Sequence, residues 1–411
     1  MYNEAQKRYR EAGVDTEEAM KKCASIPVAL HCWQGDDVTG FENSGEALSG
    51  GIQATGNYPG KARNPAELMA DLDFTFSLIP GKKRLNLHAV YGVSSSPVER
   101  DRILPEHFDP WLEWAKKNNA GIDFNPTLFS HPKAADGLTL SHPDKDIRNF
   151  WIRHVNASRK ISAYIGEKQG NPCLDNIWIP DGLKDIPGDR SGPRRRLMES
   201  LDEIFAKKYD SKYIADSVES KLFGIGLESY TVGSHEFYIA YAAKRGIIPL
   251  LDNGHFHPTE NVSDKVSALL LFFDRLALHV TRNVHWDSDH SVRLDDAARD
   301  LAREIVFNGA ERCLIGLDYF DASINRIAAW AGGARNFQKA LLEALLLPQD
   351  EFKTLQDSGN YTKLLVLQEE FKILPFGDVW EEYCRREKAP GAEWFDKVTV
   401  YEQEITGKRK G

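Results

Sequence analysis

"GIIPLLDNGHFHPTE" (Gly246–Glu260) runs from a short apolar stretch straight into an aspartate, two histidines and a glutamate. A short apolar run of this kind suits a strand of a parallel sheet, buried on both faces. The groups at its exit, Asp252 and then His255, are of metal-ligand type. The unit recurs along the chain: "PVALHCW" (Pro27–Trp33), "RLNLHAVY" (Arg84–Tyr91), "GIDFNPTLF" (Gly121–Phe129), "NIWIPDG" (Asn176–Gly182), "IADSVESK" (Ile214–Lys221), "GIIPLLDNG" (Gly246–Gly254), "LALHVTR" (Leu276–Arg282) and "CLIGLDYF" (Cys313–Phe320). Amphipathic segments such as "LDDAARDLAREIVFNG" lie between them. Strand alternating with helix implies parallel strands joined by crossover helices. Eight such units predict an α/β fold, a (β/α)8 TIM barrel with additional N- and C-terminal helices and active residues at the C-terminal strand ends. A doubly wound sheet calls for GxGxxG after a strand; "GIGLES" (Gly224–Ser229) begins that way but lacks the third glycine.

The rest of the chain narrows the class. Its 411 residues carry 52 basic and 61 acidic side chains, a net charge of −9, which argues against a nucleic-acid partner. The apolar run "ALLLFF" (Ala268–Phe273) is too short to span a bilayer, so no membrane partner is expected. The charged start "MYNEAQKRYREAG" does not read as a secretory signal. Five scattered cysteines without a CxxC read as reduced thiols of a cytoplasmic protein. The expected division is a barrel with a helical lead-in over 1–335. A helical extension over 336–411 then packs on the barrel or on a neighbouring subunit. The loop Gln34–Asn64 holds seven glycines and is expected to close over a ligand, with Asp36 or Tyr58 among its contacts.

At the exits of strands five to eight the chemistry concentrates. They offer Glu219 and Lys221, then Asp252 and His255, then His279 followed by Asp287 and Asp289, and last Asp318. Singly, each has an ordinary explanation: a core histidine, a turn former, a strand-edge salt pair, a helix cap. Together they bring at least five carboxylates and two imidazoles to one rim. Carboxylates crowd together in a dry site only with strongly raised pKa values, or around a cation. The mixed oxygen and nitrogen set suits Mn²⁺, Co²⁺, Mg²⁺ or Zn²⁺, without a thiolate.

The chain also resembles the L-rhamnose isomerase family along essentially its full length. The resemblance rests on "HCWQGDDVTGFE" (His31–Glu42), "GGIQATGNYPGKARN" (Gly50–Asn64), "RLNLHA" (Arg84–Ala89), "NIWIPDG", "ESKLFGIG" (Glu219–Gly226), "ESYTVGS" (Glu228–Ser234), "GHFHPTE" (Gly254–Glu260), "WDSDH" (Trp286–His290) and "IGLDYFDASINRIAAW" (Ile315–Trp330). It implies a barrel, two divalent metals with manganese foremost, a homotetramer, and interconversion of L-rhamnose and L-rhamnulose. It places a structural metal on Glu219, Asp252, His279 and Asp318, and a catalytic one on His255, Asp287 and Asp289. The implied mechanism is a metal-assisted hydride shift, with metal-bound water held by Asp287 or Asp289 shuttling the O2/O1 proton. Lys221 is then placed to stabilise developing oxygen charge. His88 is expected at the ring oxygen or O5 of the sugar, with Trp178, Phe129 and Trp33 as apolar walls. A metal-dependent hydrolase and a non-catalytic sugar binder are the rival classes. A phosphate substrate would want a cationic cluster near the metals, and only Lys221 and Arg282 are candidates. A mere binder would need no charged double-metal rim.

Overall fold

The computed structural model describes residues 1–42, 54, 56–221, 229–257, 259–282 and 290–409. Asp287 and Asp289 lie outside these residues, as does much of the Gln34–Asn64 loop (43–53 and 55).

Eight strands close into a barrel: Val28–His31, Lys83–His88, Gly121–Asn125, Cys173–Ile177, Ile214–Glu219, Ile248–Asp252, Leu276–Val280 and Cys313–Leu317. Each pairs in parallel with its neighbours in chain order, and the first pairs with both the second and the eighth. Seven of the eight begin within two residues of the expected runs. The fourth is a correction: it starts at Cys173 rather than Asn176 and ends at Ile177. Pro180 has no N–H to give to a ladder. Next to it, Asp181 is buried and accepts from the amides and hydroxyls of both Thr139 and Ser141, drawing the chain out of the barrel. Gly182–Leu183 then pairs antiparallel with Tyr230–Thr231 in a separate small sheet.

The expected domain division at residue 335 falls inside one helix, Arg326–Leu345. This helix packs on the barrel, and its Trp330 donates its indole N–H to the His31 carbonyl at 2.9 Å. The buried Arg335 guanidinium holds the carbonyls of Leu78, Pro390 and Gly391, tying the tail to the barrel. At the far end, Arg409 and Tyr401 bind Asp71 on the helix Pro65–Ser77. The described tail thus packs on its own barrel. The described ends of the long loop are also anchored. Asp36 accepts from the Tyr91 hydroxyl at 2.6 Å, Asp37 pairs with Arg326, and the Tyr58 hydroxyl donates to Glu402. Asp36 and Tyr58 therefore face protein partners, contrary to the expected sugar contacts. Among the described residues no helix is long and apolar enough to cross a membrane.

One carboxylate on the outer face of the fourth strand has a measurable consequence. Asp175 is fully buried; Ser162 donates to one oxygen at 2.7 Å and the other has no partner. Burial, then the neighbouring Asp216, pushes its carboxyl up to about 7. Between roughly pH 4, where the unfolded aspartate ionises, and pH 7, the unfolded state loses a proton that the folded state keeps. Stability from this group therefore falls as pH rises through that window and levels off above it. Asp175→Asn removes the dependence. Its melting temperature relative to wild type is expected to rise between pH 5 and pH 8, as followed by thermal unfolding at both pH values. A difference independent of pH would show that Asp175 is ionised throughout.

Candidate active site

Alternate residues of a strand face the same side. In the barrel interior this stacks two layers. Leu174, Ala215, Leu250 and Ala277 form an apolar layer. Two residues on in three of those strands, and four on in the other, come Asn176, Asp252, His279 and Glu219. His31, Asn86, His88, Asn125 and Asp318 complete this polar collar at the strand exits. Backbone pairing sets the neighbours, with Asp252 opposite His279 and His279 opposite Gly316. The approach is close there: a Cβ at Gly316 would lie 3.1 Å from the His279 ring and 3.5 Å from His31 Nε2. Asn253 locks the exits of the sixth and seventh strands together through two hydrogen bonds to the Thr281 backbone.

Three carboxylates converge on one nitrogen. His279 Nδ1 lies 3.0 Å from Asp318 Oδ2, 3.4 Å from Glu219 Oε1 and 3.7 Å from Asp252 Oδ2. His255 Nδ1 is also 3.4 Å from Glu219 Oε1. All these side chains are buried. Burial opposes a charge on His279, but Glu219 and Asp318 overcome it and raise its pKa well above the ordinary value. Burial likewise opposes ionisation of Glu219, which the His279 and His255 imidazoles and Asn176 nevertheless hold below its usual range. Asp318 is raised, burial outweighing the attraction of His279.

These contacts fit a divalent cation. Despite its carboxylate neighbours, neither ring nitrogen of His279 makes an aligned hydrogen bond, and Asp318 Oδ1 makes none. One ligand atom each from Glu219, Asp252, His279 and Asp318 lies within 4.8 Å of all the others. Ligand bonds of about 2.0–2.3 Å place donor atoms around one ion at such separations. The set combines hard oxygens with one imidazole and no thiolate, as Mn²⁺ or Mg²⁺ chemistry prefers. His255 is prepared for the same chemistry. Its Nδ1 faces the Ser220 carbonyl at 2.8 Å, and a carbonyl only accepts, so the ring proton sits on Nδ1 and Nε2 carries the lone pair.

Beside this centre a small cavity is lined by Trp33, His88, Phe129, Trp178, Phe320 and collar residues such as His31, Glu219, His279 and Asp318. His88 stacks on Trp33, with ring centroids 4.1 Å apart. Both nitrogens of His88 and the indole N–H groups of Trp33 and Trp178 are buried without hydrogen-bond partners. Four unpaired polar atoms among aromatic faces suit a polyhydroxylated ligand, which is recognised by hydroxyls and C–H faces together. Burial, then the nearby His279, lowers the His88 imidazole to about 3, so it faces the cavity neutral. Lys221 is buried next to Trp178, its ammonium donating to the Pro180 carbonyl at 2.9 Å and lying 5.8 Å from the Trp178 ring centre.

The structure thus gathers Glu219, Asp252, His255, His279 and Asp318 at one rim, with His88, Trp33, Phe129 and Trp178 beside them. Sequence reasoning missed His31, Asn86, Asn125, Asn176 and Phe320. For His31, Asn86 and Asn125 the signal was present: each lies on the inward parity of a strand that ends in a polar residue.

The L-rhamnose isomerase (RhaA) family model matches residues 1–409. The L-rhamnose isomerase of Salmonella typhimurium is 60% identical over 407 residues, covering 98% of this chain and 97% of that protein. The enzyme of the same name from Salmonella paratyphi B is 59% identical over the same span. A solved L-ribulose 3-epimerase shares the fold, with a TM-score of 0.50 at 12% identity, covering 77% of this chain and 95% of its own. With a match that runs from end to end, the chain is an isomerase and belongs to the L-rhamnose isomerase family.

Proposed function

We propose that this isomerase interconverts L-rhamnose and L-rhamnulose, moving a hydrogen between C2 and C1 and a proton between O2 and O1. The observation that carries the reading is the convergence of Glu219, Asp252 and Asp318 on His279 beside a cavity of unpaired polar atoms and aromatic walls. Glu219, Asp252, His279 and Asp318 would hold one divalent ion, and His255, Asp287 and Asp289 a second, with Mn²⁺ the foremost candidate. Bound there, the ions supply Lewis-acid polarisation of the carbonyl and a lowered hydroxyl pKa.

The chain's own side chains do the rest. His88 offers a donor and an acceptor to the ring oxygen or O5. Trp33, Phe129 and Trp178 exclude water and pack against the C–H faces of the sugar and its methyl. The Lys221 ammonium at the wall offsets negative charge developing on the sugar oxygens. Asp287 and Asp289 hold the proton in transit between O2 and O1. We favour transfer of the C2 hydrogen as a hydride. Among the described residues the rim carboxylates are those that would hold the ion, and His88, lowered to about 3, is a poor base for a C–H proton.

We place the chain in a homotetramer, with a further copy of the chain as its partner. Tyr361, Leu365 and Val366 form an exposed apolar face on the helix Tyr361–Phe371, as an assembly contact would require. Five unpaired thiols suit a reducing cytoplasm. The direct test is a coupled ketose assay on purified protein with L-rhamnose and Mn²⁺. Ketose is expected to accumulate with L-rhamnose; a fully metal-loaded protein that forms none would end this reading.

A further inference from the structure

Each carboxylate that converges on His279 turns its other oxygen to a partner. Glu219 Oε2 accepts from Asn176 Nδ2 at 2.5 Å, and Asp252 Oδ1 accepts from the Gly254 N–H at 2.6 Å. Asp318 Oδ1 faces His31 Nδ1 at 3.2 Å. The first two partners can only donate. The third is an imidazole nitrogen, so what it does depends on where its proton sits.

A chain of hydrogen bonds behind His31 locates that proton. The Leu87 carbonyl only accepts, so the amide atom of Asn125 lying 3.2 Å from it is Nδ2. The same Nδ2 donates to Asn86 Oδ1. Asn86 must therefore present its Nδ2 to His31 Nε2, 2.9 Å away, and an amide NH2 only donates. His31 Nε2 is left as the acceptor. An imidazole whose Nε2 accepts carries its single proton on Nδ1, here aimed at Asp318. His31 Nδ1 and Asp318 Oδ1 are both buried and neither makes an aligned hydrogen bond, so this 3.2 Å contact is what each has to face.

We propose that His31 is a positioning residue. Its tautomer, set through Leu87, Asn125 and Asn86, holds Asp318 with Oδ2 turned to His279 and ready to bind a divalent ion. The proposal rests on the reading of Asp318 as a metal ligand. It also decides between two roles for His31. Donor atoms of His31, His279 and Asp318 are close enough to share an ion, but a protonated Nδ1 has no lone pair to give. His31 is therefore a support of a ligand and not itself one. Supports of this kind fix ligand orientation, and their loss weakens metal binding by about 10–100-fold.

Two measurements on the full-length protein test this. In protein carrying [15N]histidine, solid-state 15N spectra report the protonation of each ring nitrogen, with His31 assigned by its loss in His31→Asn. In the metal-free and the Mg²⁺-loaded protein alike, Nδ1 is expected to be protonated and Nε2 bare. A bare Nδ1, or one shifted by the metal, overturns the proposal. Equilibrium dialysis then gives the Mn²⁺ affinity. Asn86→Asp sets an acceptor against Nε2, draws the proton there and leaves two acceptors facing each other at Asp318. It and His31→Leu are expected to weaken binding by about 10–100-fold. His31→Asn, whose amide NH2 can stand near Nδ1, should recover part of that loss. Unchanged affinity in a folded Asn86→Asp protein overturns the positioning role. A wild-type protein that takes up no divalent ion overturns the metal reading and this role with it. The 15N tautomer then shows separately whether the relay itself exists.

Discussion

Exhaustive chelation is expected to abolish ketose formation, with a fall of about 10³-fold or more, and added Mn²⁺ to restore it. The size follows from the work assigned to the cation. Polarising a carbonyl and acidifying the neighbouring hydroxyl is worth several kcal/mol, and each 1.36 kcal/mol is a factor of about ten in rate. No described side chain can take over that work. The Lys221 ammonium is engaged at the Pro180 carbonyl. His279 gains a proton more readily than an ordinary histidine because Glu219 and Asp318 attract it, but a proton at that nitrogen cannot bridge two sugar oxygens. Protein dialysed against EDTA, with metal content read by elemental analysis, is assayed with and without Mn²⁺. Full activity in a protein shown to be metal-free would remove the basis of the proposed chemistry.

The barrel was legible because each strand is a short apolar run with turn-forming or polar residues at its exit. The rim was legible for a related reason: an acid or histidine closing an apolar strand has nowhere to face but the barrel mouth. The fourth strand was misplaced because "CLDN" holds only one strongly apolar residue. Its Asp175 is buried against Ser162 of the preceding long helix, a contact the segment itself does not display. The boundary drawn at residue 335 falls inside a helix on the same ground. Helical spacing does not reveal that "RIAAWAGGARNFQKALLEAL" is one continuous helix serving barrel and tail alike. His31 escaped notice because an apolar strand with one histidine reads as core until its neighbours are known. The relay through Asn86 and Asn125 is a property of strand register, which no single segment displays.

The two proposed ion sites are expected to fail in different ways when their residues are changed. His255→Ala and Asp289→Asn remove proposed ligands of the catalytic ion, so kcat should fall by orders of magnitude in a protein that still folds. His255 lies outside the four-residue group around His279, and its ring approaches that group at Glu219 Oε1. Its loss should leave that group's affinity for an ion largely in place. Glu219→Gln strikes the group itself. One carboxylate oxygen, Oε1, faces both His279 and His255, while Oε2 is held by Asn176. An amide there loses the charge that attracts the cation and points a donor at groups arranged for an acceptor. An ion bound only by the folded state stabilises it by mass action, about 2.7 kcal/mol when present at a hundred times its dissociation constant. Excess Mn²⁺ should therefore raise the melting temperature of wild type and of His255→Ala by a few degrees, and that of Glu219→Gln hardly at all. Steady-state kinetics and calorimetric melts with and without Mn²⁺ read both properties on the same preparations. If Glu219→Gln and His255→Ala lost activity and metal-dependent stability in step, a single shared site would replace the division into two.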